Sequence, residues 1–150
     1  MEQKRKILPP VYLLLTVVAM TGFHYFLPLG RFIVEPYSYF GFVLIVVGLS
    51  TTIPAAVSFK KVGTPVVPFE VSTKLVTTGL YRFTRNPMYL GMVVFLIGIG
   101  LLFGSLGSLI PVPLFVWIIR TNFIRGEENF LAEIFGNEYL EYKRRARRWL

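Results

Sequence analysis

Three long stretches of this chain carry no Lys, Arg, Asp or Glu: residues 7–29, 36–59 and 86–119. An uncharged run of about 20 apolar residues is what a helix needs to cross a hydrocarbon core about 30 Å thick. The first two runs each match one crossing. The third does not, because as a single helix it would extend about 50 Å at about 1.5 Å per residue. In its middle stand Gly104-Ser105-Leu106-Gly107-Ser108 and then Pro111 and Pro113, a cluster of helix breakers. A split there predicts two helices, over about 87–103 and 109–124, joined by an uncharged hairpin.

Charge placement supports the split. Cytoplasmic segments of membrane proteins carry an excess of Lys and Arg. Here the basic residues gather at Lys4, Arg5 and Lys6, at Lys60, Lys61, Lys74, Arg82 and Arg85, and at Arg125, Lys143, Arg144, Arg145, Arg147 and Arg148. The other two connections hold only Arg31 with Glu35, or no charge. Four crossings put every basic segment on one side. Three would strand the basic tail on the other. The predicted fold is therefore all-α, a polytopic membrane helical bundle with spans at about 9–29, 37–58, 87–103 and 109–124. A cytoplasmic loop at 59–86 and a C-terminal amphipathic cytoplasmic helix at 127–148 complete one integral membrane domain over residues 1–150. Both termini are expected in the cytoplasm, and a bacterial cytoplasmic membrane is the expected location. The first run is longer than the apolar core of a signal peptide and lacks a small-residue cleavage pattern, so it is read as a retained span.

Composition then closes off several chemistries. Only 16% of residues are charged, against about 25% in soluble domains. There is no Cys, no Asp and a single His, which removes disulfides, thiolate metal sites and most hydrolytic constellations, and no metal site is expected. The net charge of +8 suits anionic headgroups beside the spans. No aromatic platform accompanies it, so nucleic acid is not an expected partner; membrane lipids are.

Two cytoplasmic segments carry the remaining information. Loop 59–86 is longer than the roughly 15 residues beyond which structureless loops usually have a function. Its Gly63-Thr64-Pro65 and Pro68 predict extended, turn-rich backbone. In the tail, Glu127 and Glu128 stand where a helix start favours carboxylates, and Phe130, Leu131, Ile134 and Phe135 recur at helical spacing. Gly136 interrupts the pattern before Tyr139, Leu140 and Tyr142 resume it. Such a helix is expected against the membrane interface. His24 reads as an interfacial or packing residue, Glu35 as solvated, and Glu70 has no role assigned by its spacing.

The run Gly79-Leu80-Tyr81-Arg82-Phe83-Thr84-Arg85-Asn86-Pro87-Met88-Tyr89-Leu90-Gly91 opens the third span. Asn86 suits an N-cap, Pro87 the first helical turn, and Arg82, Arg85 and Tyr89 a membrane interface. That run is followed in order by Gly98-Ile99-Gly100, by Glu127-Glu128 and by Phe135-Gly136-x-x-Tyr139-x-x-Tyr142. Together these resemble the isoprenylcysteine carboxyl methyltransferase and phospholipid methyltransferase superfamily, whose signature is Arg-His-Pro-x-Tyr-x-Gly, Gly-x-Gly, a Glu pair and Phe-Gly-x-x-Tyr-x-x-Tyr. The likeness covers about residues 60–148. It departs from the signature at Asn86, which stands where the family often has His. An amide does not titrate near neutrality, so no base acts at that position and the resemblance implies ligand positioning.

The resemblance further implies an S-adenosylmethionine-dependent methyltransferase acting on a lipophilic or membrane-embedded acceptor, a carboxylate, amine headgroup or thiol, at the cytoplasmic face. Cofactor contacts are expected from Arg85 and Asn86 to the carboxylate and from Glu127 or Glu128 to the ribose or amino group. Tyr89 is expected near the adenine, and Tyr139 and Tyr142 as closing groups. Gly98 and Gly100 admit either the cofactor or a neighbouring helix. Glu127 and Glu128 are also the candidates for handling a proton. Two other classes stand beside this one. An NADPH-dependent membrane reductase of the sterol or steroid type commonly has a Glu after the final Gly of the motif, where this chain has Met92. A non-enzymatic membrane adaptor leaves the cluster of Arg, Asn, Tyr and Glu unexplained.

Overall fold

The computed structural model describes residues 8–63 and 74–150, and all described secondary structure is helical apart from two isolated bridges. Lys4, Arg5, Lys6, Thr64, Pro65, Pro68 and Glu70 lie outside the described residues. Helix α1 (Pro9–Phe26) starts on Pro9 and Pro10, whose missing N–H groups cost nothing in a first turn. Helix α2 (Phe40–Lys61) follows a 3-10 turn at Tyr37–Tyr39, and the two make one apolar helix, Tyr37–Lys61. Helix α3 (Pro87–Phe103) ends at Gly104, whose φ of 67° is the left-handed conformation that terminates many helices.

Beyond Gly104 the chain departs from its expected division. The sequence predicts a fourth helix over 109–124 and a separate tail helix over 127–148. Instead α4 (Leu106–Leu109), α5 (Pro111–Ile119), a π-turn (Arg120–Ile124) and α6 (Arg125–Phe135) follow one another as a single helical rod, Leu106–Phe135. Gly126 lies inside the rod, and the break falls at Gly136, whose φ of 51° strains any other residue. Helix α7 (Asn137–Arg145) then stops three residues short of the expected end, and Ala146 is extended. The tail is therefore two short helices and an extended strap.

Among the described residues three helices are long and apolar enough to cross a membrane: Pro9–Phe26, Tyr37–Lys61 and Leu106–Phe135; the apolar α3 is slightly shorter. Their outward faces are rich in Leu, Val and Phe, as lipid contact requires. The chain is an all-α integral membrane bundle.

Helices α2 and α3 pack antiparallel on two glycine pairs. A Cβ at Gly48 would lie 2.6 Å from the Gly91 carbonyl oxygen, and one at Gly98 would lie 2.7 Å from that of Gly41. The seven-residue spacing of Gly41 and Gly48, matched by Gly91 and Gly98, thus lets two backbones touch along about two turns, a common solution in lipid. Helix α1 packs on the other side, against α4, α5 and α3. Residues 27–36 close the end of the bundle where α1 meets the α3–α4 turn. Phe32 N–H donates to Gly104 O at 3.0 Å, Leu106 N–H to Gly30 O at 3.1 Å and Gly107 N–H to Pro28 O at 2.9 Å. His24 Nδ1 lies 2.8 Å from the Ser105 hydroxyl, and the ring stacks on Phe103 at 4.7 Å.

Candidate functional site

At the opposite end, three parts of the chain converge: the start of α3, the start of α6, and the strap after α7. The backbone builds the junction first. Arg85 N–H donates to Arg147 O at 2.8 Å and Arg147 N–H to Phe83 O at 3.2 Å, so the strap runs alongside residues 83–85 like a short parallel strand. Asn86 occupies the N-cap position of α3, but its side chain makes no capping bond. Its amide nitrogen donates instead to the Arg148 carbonyl at 2.9 Å, and the Thr84 hydroxyl donates to the same oxygen at 3.2 Å. The Asn86 side chain is therefore a structural donor to the strap, a task that needs no titrating group.

The π-turn at Arg120–Ile124 inserts an extra residue into the helical rod just before the two glutamates. Such turns are rare and shift the phase of everything that follows. Phe123 and Ile124 point into the core, and Glu127 and Glu128 come to face the start of α3. The two carboxylates then part company. Glu127 Oε1 accepts the Tyr89 hydroxyl at 2.6 Å, and its Oε2 accepts no hydrogen bond from the described residues. Glu128 is taken at both oxygens by Arg148, Nε at 2.9 Å and Nη2 at 2.6 Å, a forked pair. Arg85 Nη2 adds a longer ion pair to Glu128 Oε1 at 3.5 Å.

Arg85 is the residue whose needs the protein leaves unmet. Its side chain is 9% exposed, yet Nε and Nη1 are buried without a hydrogen-bond partner among the described residues. An unpaired buried donor costs about 1–3 kcal/mol, and more when it is charged. Two such nitrogens on one guanidinium are suited to an acceptor, most favourably an anion.

Tyr139 and Tyr142 lie beneath α7. Tyr139 is 2% exposed; burial, helped by the nearby Glu128 carboxylate, pushes its phenol up to about 12, and the adjacent Arg85 guanidinium, close enough to interact with the hydroxyl, draws it part of the way back. Burial pushes Tyr142 and Tyr81 up as well. Tyr142 donates its hydroxyl to Tyr81 O at 2.8 Å, tying α7 to the loop before α3. These phenols are neutral hydrogen-bonding groups and not bases. With Val76, Ala55 and Ala146 they form a second core that covers the apolar face of the tail.

Six of the residues expected at the site thus meet: Arg85, Asn86, Tyr89, Glu127, Glu128 and Tyr139, with Tyr142 one layer behind. Gly98 and Gly100 do not join them. Gly98 lies against Gly41 and Ile45 of α2, and Gly100 against Leu109 and Met20, so both admit helices and neither borders the polar cluster. Sequence reasoning missed Arg148, which looks like one more basic residue of the tail, and Tyr12 of α1. The Tyr12 ring meets Phe123 edge-on at 5.7 Å, and Phe123 lies 6.5 Å from Tyr89. Trp149, two residues from Arg147, packs on this same core.

With that geometry in place, comparison with known proteins is decisive on one point. The sequence model of the phospholipid methyltransferase family matches residues 37–138, about two thirds of the chain. The chain belongs to that family. Curated relatives include a probable protein-S-isoprenylcysteine O-methyltransferase of Oryza sativa subsp. indica, 32% identical over 111 residues, which are 73% of this chain and 58% of the relative. Protein-S-isoprenylcysteine O-methyltransferase A of Arabidopsis thaliana is 32% identical over 70% of this chain and 54% of its own length. The Saccharomyces cerevisiae protein-S-isoprenylcysteine O-methyltransferase is 41% identical over 72 residues, 48% of this chain and 30% of the relative. The chain spans little more than half the length of its plant relatives. The superfamily read from the motifs around Arg85, Glu127 and Tyr139 is borne out by these matches.

Proposed function

We propose that this family member is an S-adenosylmethionine-dependent methyltransferase whose acceptor is lipophilic, with a carboxylate, amine or thiol as nucleophile. The observation that carries the reading is the buried Arg85 guanidinium, two of whose nitrogens have no hydrogen-bond partner among the described residues. An amino-acid carboxylate suits this cation: it can accept a charge-assisted hydrogen bond from Nε or from Nη1, which face different sides of the guanidinium. A cofactor with a carboxylate at one end and hydroxyls and an amine elsewhere also suits Glu127, whose Oε2 is open as an acceptor. S-adenosylmethionine supplies a methyl group on a sulfonium, ready for in-line displacement.

The protein's own contribution is positioning. Arg85 fixes the carboxylate. The Tyr89 hydroxyl holds Glu127 in one rotamer, and the Tyr12, Tyr89 and Phe123 rings exclude water beside it. Orientation and water exclusion supply much of the acceleration such a displacement needs. For an acceptor that must lose a proton, Glu127 is the nearest free carboxylate oxygen; Glu128 is held by two arginines. Gly98 and Gly100 have no part in this reading. The topology that fits is four crossings with both ends on the cytoplasmic side, which gives every basic segment and the polar cluster the same face. A lipophilic acceptor then reaches the cluster laterally from the bilayer.

Calorimetric titration of the detergent-purified chain tests this. Saturable binding of S-adenosylmethionine, weakened about tenfold or more in Glu127→Ala, is the expected result. Tight binding of NADPH with no response to S-adenosylmethionine would replace the methyltransferase reading with the reductase one.

A further inference from the structure

Consecutive residues of the strap hold Arg85 at both of its ends. Arg147 takes the Arg85 main-chain N–H through its carbonyl at 2.8 Å. Arg148 grips Glu128 by a two-pronged pair at 2.9 and 2.6 Å, and Glu128 Oε1 in turn faces Arg85 Nη2 at 3.5 Å. The carbonyl of Arg148 also takes Asn86 and Thr84, the residues on either side of Arg85. A guanidinium on a long side chain has many rotamers, and ordering it costs entropy. Here that ordering is done before any ligand arrives, and it leaves Nε and Nη1 without a hydrogen-bond partner among the described residues.

We propose that Glu128 and Arg148 form a positioning strut whose purpose is to aim Arg85, and that the glutamate pair is divided in labour: Glu127 contacts the ligand and Glu128 does not. The inference rests on the methyltransferase reading and deepens it, since it assigns carboxylate recognition to Arg85 and makes that recognition depend on a tail residue outside the motifs. Both oxygens of Glu128 are already occupied by charged donors, so a ligand amine or hydroxyl would have to break the fork to reach it. Removing Arg148 frees Glu128 to swing onto Arg85 and neutralise the cation meant for the ligand.

The strut has a signature that a general stabilising role lacks. It serves only the ligand's carboxylate, so its loss must be felt by S-adenosylmethionine and not by decarboxylated S-adenosylmethionine, which keeps the sulfonium, amine and adenosine. Titration of the full chain with both compounds provides the test, on wild type, Arg148→Ala, Arg148→Lys and Glu128→Gln, with thermal unfolding to confirm that each variant folds. The expected result is a loss of about ten- to a hundredfold for S-adenosylmethionine in Arg148→Ala and Glu128→Gln, with little change for the decarboxylated compound. Arg148→Lys, which keeps the charge but not the fork, falls between. The double variant Glu128→Gln/Arg148→Ala loses no more than either single one, as expected of one coupled unit. Equal losses for both compounds, or none for either, would overturn the strut while leaving the methyltransferase reading intact. A wild-type chain that binds neither compound would overturn both.

Discussion

The two ends of this bundle are built from the same materials and finished differently. At the end formed by residues 27–36 and the α3–α4 turn, main-chain donors meet main-chain acceptors, and His24 meets Ser105. That end is sealed, and its polar atoms hold one another. At the other end the chain gathers Arg85, Arg148, Glu127 and Glu128, joins most of them, and leaves two buried donors of Arg85 unused. Folding alone explains the first arrangement. The second leaves donors over that folding does not use, and that difference is what the proposed function rests on.

Four substitutions sharpen or break this contrast. The largest effect is expected from Arg85→Ala, which should lower S-adenosylmethionine affinity by at least about a hundredfold in calorimetry, since the charge-assisted contact to the carboxylate is lost. Near-normal affinity in that variant would mean that the unused donors serve no ligand. Gly48→Val should come next, destabilising the bundle by about 1–3 kcal/mol in thermal or denaturant unfolding, because the Gly91 backbone leaves no room for the branched side chain. An unchanged stability would show that α2 and α3 can separate freely. Tyr89→Phe removes one hydrogen bond to Glu127 and should weaken cofactor affinity by roughly three- to tenfold without altering the melting temperature by more than a few degrees. The smallest effect belongs to the sealed end. Ser105→Ala should cost about 0.5–1.5 kcal/mol of stability and leave cofactor affinity untouched; a loss of affinity there would erase the distinction between the two ends.

Much of the architecture was legible before the structure. The uncharged runs located α1, α2 and α3 to within a few residues, because charge exclusion from lipid is a strong and local constraint. Gly104 was legible as a stop for a different reason: it stands in a cluster of breakers. The join between α5 and α6 was not, because a π-turn is chosen by how Phe123 and Ile124 pack, and no residue type marks it. Gly136 was legible as an interruption, and it does adopt a conformation that demands glycine, whereas the expected break between 124 and 127 is absent. In the site, the motif residues Arg85, Tyr89 and the two glutamates were readable as a set. Their division was not: Glu127 and Glu128 are identical letters, and only the helix phase tells which faces Tyr89 and which faces Arg148. Gly98 was ambiguous for a related reason, since its partner Gly41 stands 57 positions away. Arg148 was hidden in plain view among the tail's basic residues, because its role depends on the strap folding back across α3.

The central claim is that the ligand lies at the open end. Ultraviolet crosslinking of methyl-tritiated S-adenosylmethionine to the purified chain, followed by peptide mapping, tests it most directly. The account predicts label on peptides from residues 84–89 or 127–139, lost when unlabelled S-adenosylhomocysteine competes. Competable label confined to residues 24–32 or 103–108 would place the ligand at the sealed end and contradict it.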